Sequence, residues 1–120
     1  MKKYAIGLMI LASFSFSSVY KNITYPYNAV EVGGVTLSAS TATTVDAKDQ
    51  YRRYMVICND SDTVVYLAIG TTPNLNQGIR LNANGGTYEI DDDNFTDLTV
   101  KAITAGASKR ITYQVGRKTR

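Results

Sequence analysis

The chain has 120 residues, with 13 Lys and Arg, 10 Asp and Glu, one cysteine and no histidine. This length allows one domain with tails. The absence of histidine excludes Ser-His and Cys-His nucleophile pairs and most transition-metal sites. A single cysteine can form neither an intramolecular disulfide nor a cysteine-based zinc site. We therefore expect a protein that is not an enzyme and that uses no cofactor and no metal.

The first 20 residues have the order of a bacterial export signal: two lysines, an apolar run, then small polar residues. Lys2 and Lys3 precede the run, and no charged residue follows until Lys21. As a helix, residues 4–20 would span about 24 Å, which is shorter than the roughly 30 Å hydrocarbon core of a bilayer. Three interpretations stay open: a cleaved signal, a retained segment in contact with the membrane, or an apolar arm packed on a neighbouring chain.

Residues 21–29 are predicted to form an extended linker, because Pro26 disfavours helix at the residue before it. In residues 30–116 no segment has a helical period, and short alternating or apolar runs are separated by turn residues. This range is predicted to be one all-β domain, an antiparallel β-sandwich or jelly roll of about seven to nine short strands. Residues 117–120 are predicted to be a basic tail.

Two late runs, Leu98–Ile103 and Lys109–Val115, show a clean period of two, which predicts one buried and one solvated face per sheet. The central runs Tyr54–Asn59 and Val64–Gly70 are nearly continuously apolar, and we expect them to pair through the turn at Asp60–Thr63. The predicted core residues are Val56, Cys58, Leu67, Ile69, Leu98, Val100, Ile111 and Tyr113.

Positive charge is concentrated at the two ends, whereas residues 22–116 carry a net charge of −3. This distribution argues against a specific nucleic-acid surface on the body of the protein. Within the body, Arg52 and Arg53 are either a contact for a small anion or another subunit, or strand-edge charges that discourage mispairing. The candidate partner contacts are Lys2, Lys3, Tyr20, Tyr25, Tyr27, Arg52, Arg53, Arg117, Lys118 and Arg120.

The only acidic cluster of the sequence, at Asp91–Asp97, is the one candidate for a calcium site. Calcium loops place oxygen ligands at alternating positions and use a glycine for the sharp turn. The stretch Asp91-Asp92-Asp93-Asn94 has neither the spacing nor the glycine. We therefore expect a solvated turn here.

Two neighbouring stretches carry a resemblance to a known group of proteins. Residues 56–70 read VICNDSDTVVYLAIG, and residues 78–90 read GIRLNANGGTYEI. With the acidic loop and strand that follow, they resemble small β-domains of bacteriophage virion proteins of the minor capsid, decoration, fibre and tail type. The resemblance covers residues 54–115. It implies a β-fold without active-site residues, whereas the export-like N-terminus is uncommon in tailed-phage head proteins.

The sequence thus predicts a non-enzymatic virion structural protein, a minor capsid, vertex or decoration subunit that acts through contacts with other virion proteins and with copies of itself. The N-terminal segment would fit a virion with an internal membrane. The alternative is an exported or membrane-anchored bacterial β-domain that binds protein or glycan at the cell surface, in which case the protein would be located in the bacterial envelope.

Overall fold

The computed structural model describes residues 27–118, and this range contains eight β-strands and no helix. The strands are β1 (Ala29–Leu37), β2 (Thr43–Asp46), β3 (Arg52–Asn59), β4 (Val65–Ile69), β5 (Ile79–Leu81), β6 (Gly86–Ile90), β7 (Val100–Thr104) and β8 (Lys109–Arg117). All pairings between these strands are antiparallel. The predicted all-β class is confirmed, and so is the predicted strand number. The predictions for residues 1–20 and most of the predicted linker fall outside the described residues.

The eight strands form two four-stranded sheets, in the orders β1-β8-β3-β6 and β2-β7-β4-β5. The pairs β1–β8, β2–β7, β3–β6 and β4–β5 nest inside one another, so the chain is one long antiparallel ribbon folded back at its middle. The ribbon then rolls up, and two further pairs, β8–β3 and β7–β4, close the two sheets. This strand order is that of a jelly roll, one of the two architectures expected from the sequence.

The core lies between the two sheets and is entirely aliphatic apart from Met55. Its fully buried members include Leu67, Val100 and Ile111, as predicted. Ile69 and Tyr113 are partly buried and pack against this cluster. The remaining buried members are Leu37, Val45, Ile57, Val65, Leu81, Ile90, Ala102 and Val115.

The predicted orientation of β3 was wrong by one residue. Met55 and Ile57 face the core with no exposed surface, whereas Val56 and Cys58 are half-buried on the opposite face. A nearly continuous apolar run carries no alternation, and therefore the sequence does not determine which set points inward. Leu98 was also misplaced: β7 begins two residues later, at Val100, and Leu98 is 43% exposed.

The predicted hairpin between the third and fourth strands was wrong as well. Both strands are central, but β3 lies in one sheet and β4 in the other. The side chain of Asn59 holds this crossing: its Nδ2 donates to the carbonyls of Thr63 (2.8 Å) and Leu81 (3.2 Å). Its Oδ1 accepts from the backbone N–H and the hydroxyl of Ser61, at 3.0 and 2.7 Å. Asn59 is fully buried and anchors the connection between the sheets.

Gly33 and Gly34 lie within the continuous strand β1. A Cβ on Gly33 would lie 2.6 Å from the ring of Tyr113, its cross-strand neighbour. The glycine therefore allows the tyrosine ring to pack close to the backbone, and β1 remains regular over its full length.

Candidate functional site

The outward-facing side of the β1-β8-β3-β6 sheet, here called the outer face, carries apolar side chains in solvent. Val30 and Val32 are 56% and 73% exposed. Across the sheet, Val32 lies level with Gln114 on β8 and Val56 on β3. A shallow groove crosses this face and is lined by Val32, Gly33, Val56, Cys58, Arg110, Thr112, Tyr113 and Gln114. Exposed β-branched side chains on a sheet face are a surface suited to protein contacts.

Tyr27, one of the candidate contacts, lies on the outer face beside β8. Its ring stacks on Tyr54, with the ring centroids 5.7 Å apart. A Cβ on Gly116 would lie 2.7 Å from the Tyr27 ring, so this glycine makes room for it. Burial, followed by the nearby charge of Glu89, raises the pKa of Tyr54. The chain therefore reaches β1 from the outer face, and Tyr27 covers part of its own sheet.

Arg52 and Arg53, adjacent in sequence, have different surroundings. Arg53 is half-buried, and its guanidinium lies 4.8 Å from the centroid of the Phe95 ring, a cation–π distance. Phe95 is itself partly exposed, at 45%. Arg53 therefore remains at the surface with a large apolar ring beside it.

Arg52 has no exposed surface. Its Nε and Nη2 donate to Oδ2 of Asp46, at 2.8 and 2.7 Å. Nη2 also donates to the carbonyl of Ala47, and Nη1 donates to the carbonyls of Leu98 (2.8 Å) and Thr96 (3.2 Å). A β-bulge between Arg52 and Tyr54 turns the arginine inward. Contrary to the expectation of a partner contact, Arg52 is buried within the domain, where it binds its own chain.

Arg117 completes a charged cluster at this end of the sandwich. Its Nη2 donates to Oδ1 of Asp46 (2.7 Å), its Nη1 to Glu31 (2.8 Å), and its Nε to Asp49. We call Arg52, Arg117, Asp46, Asp49 and Glu31 the arginine cluster. It ties β1, β2, β3 and β8 together. Arg117, expected to begin a basic tail, is the last residue of β8 and belongs to the folded domain.

Of the other candidate contacts, Lys118 is exposed, and its backbone N–H donates to the carbonyl of Tyr51 at 2.8 Å. The remaining candidates lie outside the described residues: Lys2, Lys3, Tyr20, Tyr25 and Arg120. The structure therefore brings Arg52 and Arg117 together inside the folded domain and leaves Tyr27, Arg53 and Lys118 at its surface.

The arginine cluster predicts a loss of stability in acid. Burial opposes the ionisation of Asp49, but the hydrogen bond from the Tyr51 amide and the charge of Arg117 outweigh it and lower the pKa of Asp49. A carboxylate with a lowered folded pKa contributes stability above its unfolded pKa of about 3.9 and loses it as pH falls through the folded value. We expect the free energy of unfolding, measured in urea between pH 6 and pH 2, to fall below about pH 4.

The variant Asp49→Asn should show a weaker fall over the same pH range. The matched control is Asp92→Asn in the exposed turn after β6, which should retain the full pH dependence. Equal slopes for the wild type and Asp49→Asn would show that Asp49 does not contribute to the acid transition.

A second groove lies against the other sheet, beside Tyr66. The Tyr66 hydroxyl is 3.0 Å from Oδ1 of Asn76. Asp62, at the rim, accepts a hydrogen bond from Lys109 at 2.6 Å, and this contact lowers the pKa of Asp62. The lining residues are Asp62, Thr63, Val64, Tyr66, Leu75, Asn76, Arg80 and Ala105. An aromatic ring bordered by amide, acid and guanidinium groups offers both a flat apolar surface and hydrogen bonds.

The acidic turn at Asp91–Asn94 binds its own backbone. Asp91 Oδ1 accepts from the N–H of Asp93 at 2.9 Å, and Asn94 Oδ1 accepts from the N–H of Asp91 at 2.7 Å. Within residues 27–118, no three acidic or cysteine side chains are grouped so that they could hold a metal ion. The same range contains no helix long and apolar enough to cross a membrane.

Comparison of the chain with protein-family models, curated proteins and solved structures gave no match.

The sequence did not predict the burial of the two largest polar side chains in the interior, Asn59 and Arg52. Asn59 lies at the start of a turn-rich stretch and reads as a turn residue. Arg52 is preceded by Asp46 and Asp49 within six residues. Those two acids are the sequence signal that could have identified Arg52 as half of a buried ion pair.

Proposed function

We propose that this protein is a non-enzymatic structural subunit of a bacteriophage virion and that it functions through contacts with neighbouring subunits. The observation that carries the proposal is the jelly-roll strand order, an architecture that serves as a building block in viral capsids. The resemblance of residues 54–115 to small virion β-domains supports the same assignment. The exposed valines of the outer face supply a surface for subunit contacts.

Jelly rolls also occur in lectin domains, and therefore fold alone does not distinguish the two roles. The second candidate is an exported or membrane-anchored domain that binds glycan at the bacterial surface. The groove beside Tyr66 favours it, because sugar rings stack on aromatic faces while their hydroxyls bond to groups such as those of Asn76 and Arg80.

The deciding experiment measures the protein in purified particles. Particles from a culture that carries the gene are banded on a density gradient, and peptides from residues 22–116 are quantified against the major capsid protein by mass spectrometry. A constant ratio across the particle band supports the virion role. Absence from the particles, together with binding to a glycan array that is lost in Tyr66→Ala, would establish the second candidate instead.

Removal of residues 2–20 should separate folding from assembly. The eight strands of the described residues lie between Ala29 and Arg117, so the truncated protein should retain a β-type circular dichroism spectrum and one cooperative melting transition. The apolar segment must be removed, inserted into lipid or covered by another chain, and we expect the deletion to abolish incorporation into the particle or the membrane. A truncated protein that fails to fold would place the N-terminal segment in the core.

A further inference from the structure

The two sheets have four edge strands, and one of them is unprotected against pairing with another chain. Three edges are short: β5 has three residues, β6 has five, and β2 has four with a bulge between Thr44 and Asp46. Short and bulged edges are the usual protection against intermolecular strand pairing. In contrast, β1 has nine residues and nine consecutive partners on β8 without a bulge.

The composition of β1 also lacks the usual protection. The strand AVEVGGVTL contains no lysine and no proline, the residues that commonly block an edge. Its only charge, Glu31, is already paired with Arg117 at 2.8 Å. On the side away from β8, no strand of the described residues pairs with β1. Val30 and Val32 are exposed on the outer face of this edge strand.

Building on the proposed function, we propose that β1 pairs antiparallel with β1 of a second copy of this chain, joining two four-stranded sheets into one of eight strands. The free backbone N–H and C=O groups of an edge strand pair with those of another strand that is also unpaired over a similar length. Among residues 27–118, β1 is the one long unprotected edge, so the second copy offers the same strand. Antiparallel pairing of a strand with itself has twofold symmetry and forms a closed dimer.

Side-chain orientation restricts the register of this pairing. Even-numbered residues of β1 lie on the outer face, so residues opposite one another must both be even or both be odd. Pairing centred on Glu31 would place two carboxylates opposite each other, and pairing centred on Gly33 would leave both exposed valines without an apolar partner. Centring on Val32 places it opposite the partner's Val32, and Glu31 opposite the partner's Gly33. Apolar cross-strand contacts of this kind stabilise a sheet, whereas opposed like charges weaken it.

The register is tested by cross-linking the full-length chain in mild detergent, in a Cys58→Ser background. Directly opposite residues of an antiparallel pair have Cα atoms about 4.5–5.5 Å apart, within the range of a disulfide. We expect Val32→Cys to form a covalent dimer on mild oxidation. In this register, Thr36 lies roughly 27 Å from the partner's Thr36, because eight residues of strand separate them, and Thr36→Cys should stay monomeric. Failure of Val32→Cys to cross-link, or equal cross-linking of both variants, would overturn the proposal.

A charge substitution tests the same edge without a disulfide. Val32→Lys would place two lysines opposite each other and should weaken dimerisation by about tenfold or more in sedimentation equilibrium. The side chain is 73% exposed in the single chain, so the variant should keep the β-type circular dichroism spectrum of the wild type. The control Thr44→Lys, an exposed position on the edge strand β2, should dimerise like the wild type. Unchanged dimerisation of Val32→Lys contradicts the proposal.

The proposed function and this inference can fail separately. A chain that cross-links through position 32 but is absent from purified particles contradicts the virion role and supports β1 pairing. A chain present in the particles in which Val32→Cys gives no dimer contradicts β1 pairing and supports the virion role.

Discussion

Replacement of Arg52 by methionine is expected to lower the free energy of unfolding by about 3–5 kcal/mol, the range for breaking one partner of a buried ion pair. The substitution leaves Asp46 with one guanidinium instead of two, and it leaves the carbonyls of Ala47 and Leu98 without their donor. Urea unfolding monitored by tyrosine fluorescence and circular dichroism measures the loss.

The neighbouring residue provides the matched control. Arg53→Met removes a half-buried guanidinium whose main contacts are the Phe95 ring and two backbone carbonyls, and should cost about 1 kcal/mol or less. If the two methionine variants lose the same stability, the burial of Arg52 has no energetic consequence. The double variant Arg52→Met, Asp46→Asn should lose less stability than the sum of the losses of the two single variants, because both side chains belong to one network.

Truncation of Leu67 to alanine is expected to cost about 2–5 kcal/mol, because the side chain is fully buried between the sheets and its removal leaves a cavity. Leu98→Ala makes the same chemical change at a site that is 43% exposed, and should cost well under half as much. The two losses are compared from the midpoints of urea unfolding, provided that both variants show the same dependence of the unfolding free energy on urea concentration. Equal losses at the two positions would contradict the placement of β7 from Val100 onward.

The period-two pattern predicted those parts of the fold in which apolar and polar residues alternate. In β8, Ile111 and Val115 are buried as the pattern requires, because they alternate with Thr112 and Gln114 on the outer face. Turn residues between short apolar runs gave the strand number. Together, these two signals are sufficient to predict an antiparallel sandwich or jelly roll.

The same pattern failed where alternation is absent or a bulge changes the phase. Residues 54–58 of β3 are apolar almost throughout, so the sequence does not show which of them face the core. The register with β8 and β6 determines which residues face inward, and the bulge after Arg52 changes the alternation within the strand. The turn after Asn59 reads as a hairpin, because short polar loops join strands within a sheet and between sheets alike. Only the fold brings Asn59 to Leu81, 22 residues away.

The candidate site could be predicted only in part. Charge at the chain ends placed Arg117 in a basic tail, because its partners on β1 and in the segment before β3 are more than 60 residues away in sequence. The exposure of Val30 and Val32 was not predicted, since isolated valines in a β-run normally indicate burial. An edge becomes recognisable only when the order of strands in the sheet is known.

The position of β8 between β1 and β3 has a consequence for the nascent chain. Within its own chain, β1 pairs with a strand about 80 residues downstream, and loops of that length close slowly. Until residue 117 has left the ribosome, the first sheet lacks an interior strand, and the polypeptide cannot complete its native core. A chain that remains unfolded until synthesis of this domain is finished is in the extended state that a protein-conducting channel accepts. The delay would therefore suit transport across a membrane before folding.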